Sequence, residues 1–358
     1  MTESKELFII AASGTGGHIF PGLFIAQALL DEAKEKGAEV VVEFIGSGRP
    51  LEAKLIDSRG YRRHSIAMHG VVGRGLRGTL QAIVNFPIAC AKIWKLYSKH
   101  RPRVVIGVGG YSSVAPIFVA WLRRIPTWIH EAEARPGLAN AVLSIIASKI
   151  SLSWSECRMW SRRTVITGHP VRQELRKVTP VAKERPENLL ILGGSQGARS
   201  LDLAALNLAQ YFKESGLKVW HQCREENLSM LESHYSEVHL SFRVNTFVDD
   251  MAEAYQWSDI ILARSGAGTV AEISVINRPA IFIPLPSAQG DHQTANASAL
   301  ERAHKAKIVA EGEDFIDRIK FAIGQLLEAS QFRSFLNAPP ASSPLDAARK
   351  IAQGCFRL

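Results

Sequence analysis

Six residues near the N-terminus, Ser13-Gly14-Thr15-Gly16-Gly17-His18, combine features that phosphate and proton chemistry require. Glycines let backbone N–H groups approach an anion closely, and the mouth of a helix offers unpaired N–H groups and the positive end of its dipole. A histidine with a pKa of about 6.5 exchanges protons near neutrality. The same residues also suit a tight strand-to-helix turn, with glycine relieving backbone strain and the histidine capping the helix or binding phosphate itself. Both readings stay open for a single loop. Gly109-Gly110, followed by Tyr111, and Gly193-Gly194, followed by Ser195, repeat the pattern, which favours anions held at several corresponding places.

Two familiar phosphate chemistries are poorly supported. A dinucleotide fingerprint needs a third glycine three residues after the second, but Ile19 stands where it should fall. Glu43, near the end of the second apolar run, could imitate the ribose-binding acid of such folds, yet one glutamate is weak support. The loop at 193–200, GGSQGARS, has no Gly-Lys-Ser/Thr, so it is not a nucleotide-triphosphate P-loop.

The elements that position these loops follow one plan, used twice. Residues 7–12 are an apolar strand, followed by the glycine loop and a helix with apolar positions Leu23, Ala26, Leu29 and Leu30. Lys36-Gly37 ends that helix, and 39–46 is the next strand. Strand, loop and helix recur at 103–124 and 126–147. The pattern restarts at 188–210 and recurs through 242–258, 259–279 and 280–303. Alternating strands and helices imply parallel sheets covered on both faces. The expected fold class is therefore α/β, with two facing Rossmann-like domains and a cleft between their glycine loops. Expected divisions are 1–166, a proline-broken linker at 167–187, 188–338, and a C-terminal helix within 339–358 capped near Ser343. The domain on which that helix docks is left open.

The chain has 358 residues, a formal net charge of +9 and a sequence pI of about 9.5. That balance suits an acidic partner: nucleic acid, anionic lipid or a phosphorylated substrate. Aromatic residues are not interleaved with basic ones as single-strand nucleic-acid readers require, so no nucleic-acid partner is expected. A non-catalytic, basic nucleotide-binding module at a membrane or on nucleic acid is the alternative from a different class. Cys90, Cys157, Cys223 and Cys355 lack zinc spacing and read as reduced thiols. The N-terminus does not read as a signal peptide, and no stretch reads as a bilayer span. Residues 73–103 carry apolar positions rimmed by lysine and arginine, a pattern that can lie in a headgroup region. Leu76, Leu80, Ile83 and Phe86 are the expected contacts, and Pro87 is expected to kink the segment or split it.

The motifs GTGGHIFPGL, GVGGYSS, HEAEARPGLAN, GHPVR, GGSQGARSLD, FVDDMAEAYQWSDIILARSGAGTVAEI and DHQTANA occur in that order. Together they make the chain resemble the MurG family of glycosyltransferases over nearly its whole length. The resemblance implies a GT-B fold and inverting transfer of N-acetylglucosamine from UDP-GlcNAc to the muramyl 4-hydroxyl of lipid I, an undecaprenyl-pyrophosphate-linked muramyl pentapeptide, giving lipid II. It implies no cofactor and no metal. Asp249-Asp250 lack an accompanying D-x-D and read instead as the start of a helix. It further implies an acceptor domain at 1–166, a UDP-GlcNAc-binding domain at 188–338, and a peripheral location on the cytoplasmic face of the bacterial plasma (inner) membrane, against anionic lipid. Another GT-B enzyme acting on UDP-sugars, such as a glycolipid glycosyltransferase or a UDP-GlcNAc 2-epimerase, is the competing reading.

Residue by residue, the resemblance makes His18 the general base or the group that orients the acceptor. It places the acceptor pyrophosphate on Gly14, Gly16, Gly17, Gly109, Gly110 and Tyr111. Donor contacts fall on Thr15, Gly16, Gly17, Glu133, Arg172, Gly194, Ser195, Val248, Ala267, Gly268, Thr269, Glu272 and Gln293. Among these, Glu272 would accept from the ribose hydroxyls, the main chain of Val248 would meet uracil, and Gln293 would bond the sugar. The chain departs from the family at two places. His292 stands where a second glutamine is usual, and His130-Glu131-Ala132-Glu133 replaces His-Glu-Gln-Asn. Ionised, Glu133 accepts a hydrogen bond but cannot donate one.

Overall fold

The computed structural model describes residues 5–68, 75–159, 161–194, 197–338 and 345–358; the side chains of 75–80, 82, 83 and 289 also lie outside the description. The chain divides into two units, Met1–Val171 with Pro344–Leu358, and Arg172–Ser343.

Among the described residues, the first unit contains seven parallel strands: β1 (Glu6–Ala11), β2 (Val40–Gly46), β3 (Arg62–Ser65), β4 (Val104–Gly107), β5 (Thr127–Glu131), β6 (Lys149–Leu152) and β7 (Thr164–Ile166). Their order is β3-β2-β1-β4-β5-β6-β7. β1 lies between β2 and β4, with Ala11 opposite Ile45 and Gly107. The chain's order reverses between β1 and β4, so the loops that follow these two strands diverge at the sheet's carboxyl edge, where α/β sheets bind ligands. Phe8, Ile9, Ile10, Val104, Val105 and Ile106 are fully buried, as strands covered on both faces must be.

Helix Gly16–Lys36 covers one face and ends at Gly37, whose φ of 66° is the left-handed cap that glycine adopts without cost. Helix Gly75–Lys99 buries Ala89, Ile93 and Tyr97, spaced by four, against the other face. It is one element through Pro87, not two. Pro87 itself is exposed.

The C-terminal helix, Ala347–Phe356, belongs to this first unit. Ala348, Ile351, Ala352 and Cys355 form a helical stripe buried in the same core as Ile25, Ala26 and Leu29. The Phe356 ring meets Phe8 at 5.2 Å, and its carbonyl accepts from Arg103 Nη2 at 2.6 Å. Arg349 Nη2 reaches Glu35 at 2.6 Å. The expected cap Ser343 lies outside the described residues; Asp346 is the N-cap.

The second unit contains β8 (Asn188–Leu192), β9 (Lys218–Gln222), β10 (Phe242–Asn245), β11 (Ile260–Ala263), β12 (Ala280–Phe282) and β13 (Ala306–Ile308). All pair in parallel, in the order β10-β9-β8-β11-β12-β13, which reverses between β8 and β11. Its core packs Leu201, Ala205, Leu208 and Phe212 of helix Arg199–Glu214 against β8, β9 and the helix Phe315–Leu327. Asp249-Asp250 do start a helix: Asp250 accepts the Glu253 N–H at 3.0 Å as N-cap of Met251–Trp257. All four cysteines are free.

Candidate active site

In the first unit, His18 stands in the opening turn of helix Gly16–Lys36, after β1, and Gly109-Gly110 follow β4. The structure brings them together. A Cβ placed on Gly109 would lie 3.1 Å from His18 Cδ2, and one on Gly110 would lie 3.5 Å from Cε1. Both glycines have positive φ, 100° and 71°. The imidazole is thus seated on backbone that only glycine can supply, at the reversal of strand order. Tyr111 follows directly, and its hydroxyl accepts from Arg49 Nη2 at 3.3 Å.

Gly14 differs from the expectation of a free anion cradle. Its N–H donates to Glu52 Oε1 at 3.3 Å. Glu52, fully buried, also accepts from Ser47 Oγ at 2.6 Å and from the Gly48 N–H at 2.8 Å. A carboxylate already holds this amide, so Gly14 shapes the loop instead of offering a donor. Gly16 is buried, Gly17 is exposed and Thr15 is half-buried; the Thr15 carbonyl accepts from the N–H groups of His18 and Ile19. Glu43 is paired with His64 at 2.7 Å and with Arg62 at 3.5 Å, both of β3.

Glu131 ends β5 and is 3% exposed. Its Oε1 accepts from the Glu133 N–H, and its Oε2 accepts from the Gly137 N–H and from Asn140 Nδ2, each at 3.0 Å. Burial nevertheless pushes this carboxyl up to about 7. The loop carrying Glu133 is therefore folded around a buried carboxylate, leaving the half-buried Glu133 side chain at the sheet's carboxyl edge. Behind it, Ser153 Oγ lies 3.2 Å from both His130 Nε2 and His169 Nδ1. Burial holds both histidines below their ordinary pKa, His169 at about 3, with further depression of His169 by the charge of His18. Both stay neutral at physiological pH. Ser13 Oγ, Ser112 Oγ and Asn140 Oδ1, in the loops after β1 and β4 and in helix Leu138–Leu143, are buried without a hydrogen-bond partner among the described residues.

In the second unit, the predicted donor residues other than Arg172, which precedes β8, stand in the loops and helix starts that follow β8, β10, β11 and β12, all at one edge of the parallel sheet. A Cβ on Gly193 would crowd the backbone of Gly197 and Ala198, whereas one on Gly194 would meet nothing within 4 Å. The turn is tight yet open on one side. Gln222 Nε2 anchors it through the Gly194 carbonyl at 2.9 Å; Ser195 lies outside the described residues. Ala267, Gly268 and Thr269 form the first turn of helix Ala267–Ile276, where backbone N–H groups have no intrahelical acceptor. Val248 is buried after β10. Gln293 directs Oε1 to the Leu285 N–H at 2.9 Å, so its oxygen braces the loop after β12 and its NH2 group is the end suited to a sugar hydroxyl.

Glu272 and Arg172 meet. Arg172 Nε donates to Glu272 Oε1 at 2.7 Å, and Tyr255 OH donates to Glu272 Oε2 at 2.9 Å. The motifs that identified Arg172 and Glu272 contain Tyr255 as well, but its role required the fold. Glu52, Glu131 and Asn140 were missed in the same way, although the last two lie inside HEAEARPGLAN.

Comparison with known proteins decides the family. Residues 8–152 match the glycosyltransferase family 28 N-terminal domain, and residues 188–353 match its C-terminal domain. A UDP-N-acetylglucosamine–N-acetylmuramyl-(pentapeptide) pyrophosphoryl-undecaprenol N-acetylglucosamine transferase of Geobacter metallireducens is 34% identical over 353 residues, which is 96% of each chain. The crystal structure of Acinetobacter baumannii MurG superposes with a TM-score of 0.79 at 27% identity, covering 99% of this chain and 100% of that one. The chain belongs to the MurG family. Its two α/β units have the GT-B fold, which a Neisseria meningitidis UDP-GlcNAc 2-epimerase bound to UDP-GlcNAc shares at 14% identity, with a TM-score of 0.68 and coverage of 99% of this chain and 100% of that one. At that identity the likeness is one of fold alone.

Proposed function

We propose that this protein transfers N-acetylglucosamine from UDP-GlcNAc to the 4-hydroxyl of the muramyl sugar of lipid I, forming lipid II and UDP, with inversion at the anomeric carbon and no metal. The observation that carries the reading is the seating of the His18 ring on Gly109-Gly110 at the first sheet's strand reversal. His18 takes the proton of the acceptor hydroxyl as that oxygen bonds to the anomeric carbon. The bond from that carbon to the diphosphate breaks, and UDP leaves with the electron pair. Positive backbone dipoles offset the charge that develops on the diphosphate.

The first unit takes the acceptor. Its pyrophosphate is held by backbone near Gly16, Gly17, Gly109 and Gly110 and by Tyr111, with the Arg49 guanidinium adding charge beside Tyr111. The second unit takes the nucleotide: the diphosphate on Gly194 and Ser195, the uracil at the main chain of Val248, and the ribose at Glu272, beside the turn Ala267, Gly268 and Thr269. Thr15, Glu133, Arg172 and the NH2 group of Gln293 complete the donor contacts.

The lipid acceptor is met at a membrane surface. Among the described residues no helix is long and apolar enough to cross a membrane. Instead, Val84, Phe86, Ile88 and Trp94 of helix Gly75–Lys99 and Trp121 and Leu122 of helix Val114–Leu122 are exposed. Phe86 packs on Phe118, which packs on Trp121, and Arg123 lies over the Trp94 ring. An apolar face with a basic rim suits the headgroup region of an anionic cytoplasmic leaflet. Of the four expected contacts only Phe86 has a described side chain; those of Leu76, Leu80 and Ile83 lie outside the description. The contact face extends beyond them to Trp94 and Trp121.

Labelled UDP-GlcNAc and a short-chain lipid I analogue, incubated with the protein and EDTA, test the reading. A labelled disaccharide-lipid product supports it. Absence of product overturns it, and formation of UDP-ManNAc without acceptor overturns it in favour of an epimerase.

A further inference from the structure

Glu272 is held from two sides before any nucleotide arrives. An ionised carboxylate offers about four lone-pair directions, two on each oxygen. Arg172 Nε occupies one on Oε1 at 2.7 Å, and Tyr255 OH occupies one on Oε2 at 2.9 Å. The three side chains come from three places: the segment before the short helical turn Gln173–Lys177, helix Met251–Trp257 and helix Ala267–Ile276. Tyr255 is 1% exposed and Glu272 is 8% exposed. These two bonds leave one lone pair on each oxygen, the same number as the O–H donors of a vicinal diol.

We propose that Tyr255 is the positioning residue that turns Glu272 toward a ribose diol, and that it thereby sets a preference for ribonucleotide over 2′-deoxyribonucleotide donors. The inference rests on the reading of Glu272 as the ribose-binding carboxylate. The Tyr255 hydroxyl is a permanent donor here, because burial and the neighbouring Glu272 charge hold the phenol well above its ordinary pKa. Without it, the flexible end of Glu272 turns onto the guanidinium, which can pair with both carboxylate oxygens at once. Fewer lone pairs then face the diol, and the 2′-hydroxyl ceases to matter.

The experiment compares UDP-GlcNAc with its 2′-deoxyuridine counterpart as donors to a short-chain lipid I analogue, for the native protein, Tyr255→Phe and Glu272→Gln. Tyr255→Phe keeps the buried ring. It is expected to raise KM for UDP-GlcNAc about tenfold with kcat little changed, and to shrink the ribo-to-deoxy ratio of kcat/KM by about tenfold. A merely structural role would lower the active fraction, leaving KM and the ratio as they were. Loss of the ratio in both variants supports the inference. Loss in Glu272→Gln with a native ratio in Tyr255→Phe overturns the role of Tyr255 and leaves the ribose reading standing. A native ratio in both overturns the ribose reading and this inference with it. Arg172→Lys covers the case in which Tyr255→Phe does not fold: with the tyrosine bond intact the ratio survives, and its loss assigns the orientation to Arg172 instead.

Discussion

Glu131→Gln separates the charge of a buried carboxylate from its shape. Burial is the main cause of the raised pKa of Glu131, and the nearby Glu133 charge adds to it; the hydrogen bonds from the Glu133 N–H, Asn140 and the Gly137 N–H act the other way without cancelling it. The folded value is about 7, against 4.5 for an unperturbed glutamate. Between those two pH values the folded protein keeps a proton that the unfolded chain has released. Unfolding then releases a proton, so stability falls as pH rises across the window. This contribution is fully present below pH 4.5 and is lost by about pH 7; the displacement is worth about 3 kcal/mol. Glutamine is neutral throughout and contributes no such slope. Urea unfolding of both proteins between about pH 4.5 and 7.5 measures the difference. Whatever the offset at the acid end, stability of Glu131→Gln relative to the parent is expected to rise by about 3 kcal/mol across the series. Parallel profiles for the two proteins would refute the assignment of a raised pKa to this carboxyl. A glutamine also cannot accept at both edges of its amide, so the Glu133 N–H or the Gly137–Asn140 pair loses its acceptor. The donor kcat/KM is accordingly expected to fall several-fold at pH 8 even where the variant is the more stable protein.

His18→Ala is expected to lower kcat for transfer by about 10²–10⁴, with UDP affinity unchanged, because the nucleotide is assigned to residues of the second unit; single-turnover transfer and UDP titration check the two parts, and a parent-like rate removes His18 as base. Glu52→Ala leaves the Gly14 N–H, the Gly48 N–H and Ser47 Oγ without their acceptor and is expected to cost about 3 kcal/mol, read as a lower urea midpoint. Trp94→Ala combined with Trp121→Ala, at two exposed positions, is expected to weaken binding to vesicles containing anionic lipid at least fivefold, with UDP binding retained. Equal vesicle binding would remove this face as the membrane contact.

What was legible in the sequence was whatever local pattern carries. The buried strands β1, β4, β8 and β11 are short apolar runs that end at glycine or small-residue turns, and each announces itself without help from the rest of the chain. β3, β6, β7 and β13 escaped notice because short strands without an apolar run of their own, such as Arg62–Ser65, owe their conformation to a partner strand and not to their composition. The docking of the C-terminal helix could not be assigned, since a stripe of Ala348, Ile351, Ala352 and Cys355 says that a face is buried without saying against what.

The site divides along the same line. Residues expected to touch a ligand stand in motifs with a chemical signature, whereas those that hold them look ordinary. In PLEAKLI, Glu52 reads as an acid favoured by a helix dipole. Only the pairing of β1 with β2 carries it beneath Gly14, 38 residues away in sequence, where it takes an amide expected to serve an anion. Tyr255 reads as one aromatic in a short amphipathic helix until the second sheet places it on the carboxylate of Glu272. A glycine turn advertises the space it leaves. A buried carboxylate or phenol advertises nothing until its partners arrive from elsewhere in the fold, and in this protein such groups settle which glycine amides and carboxylate lone pairs remain open to a ligand.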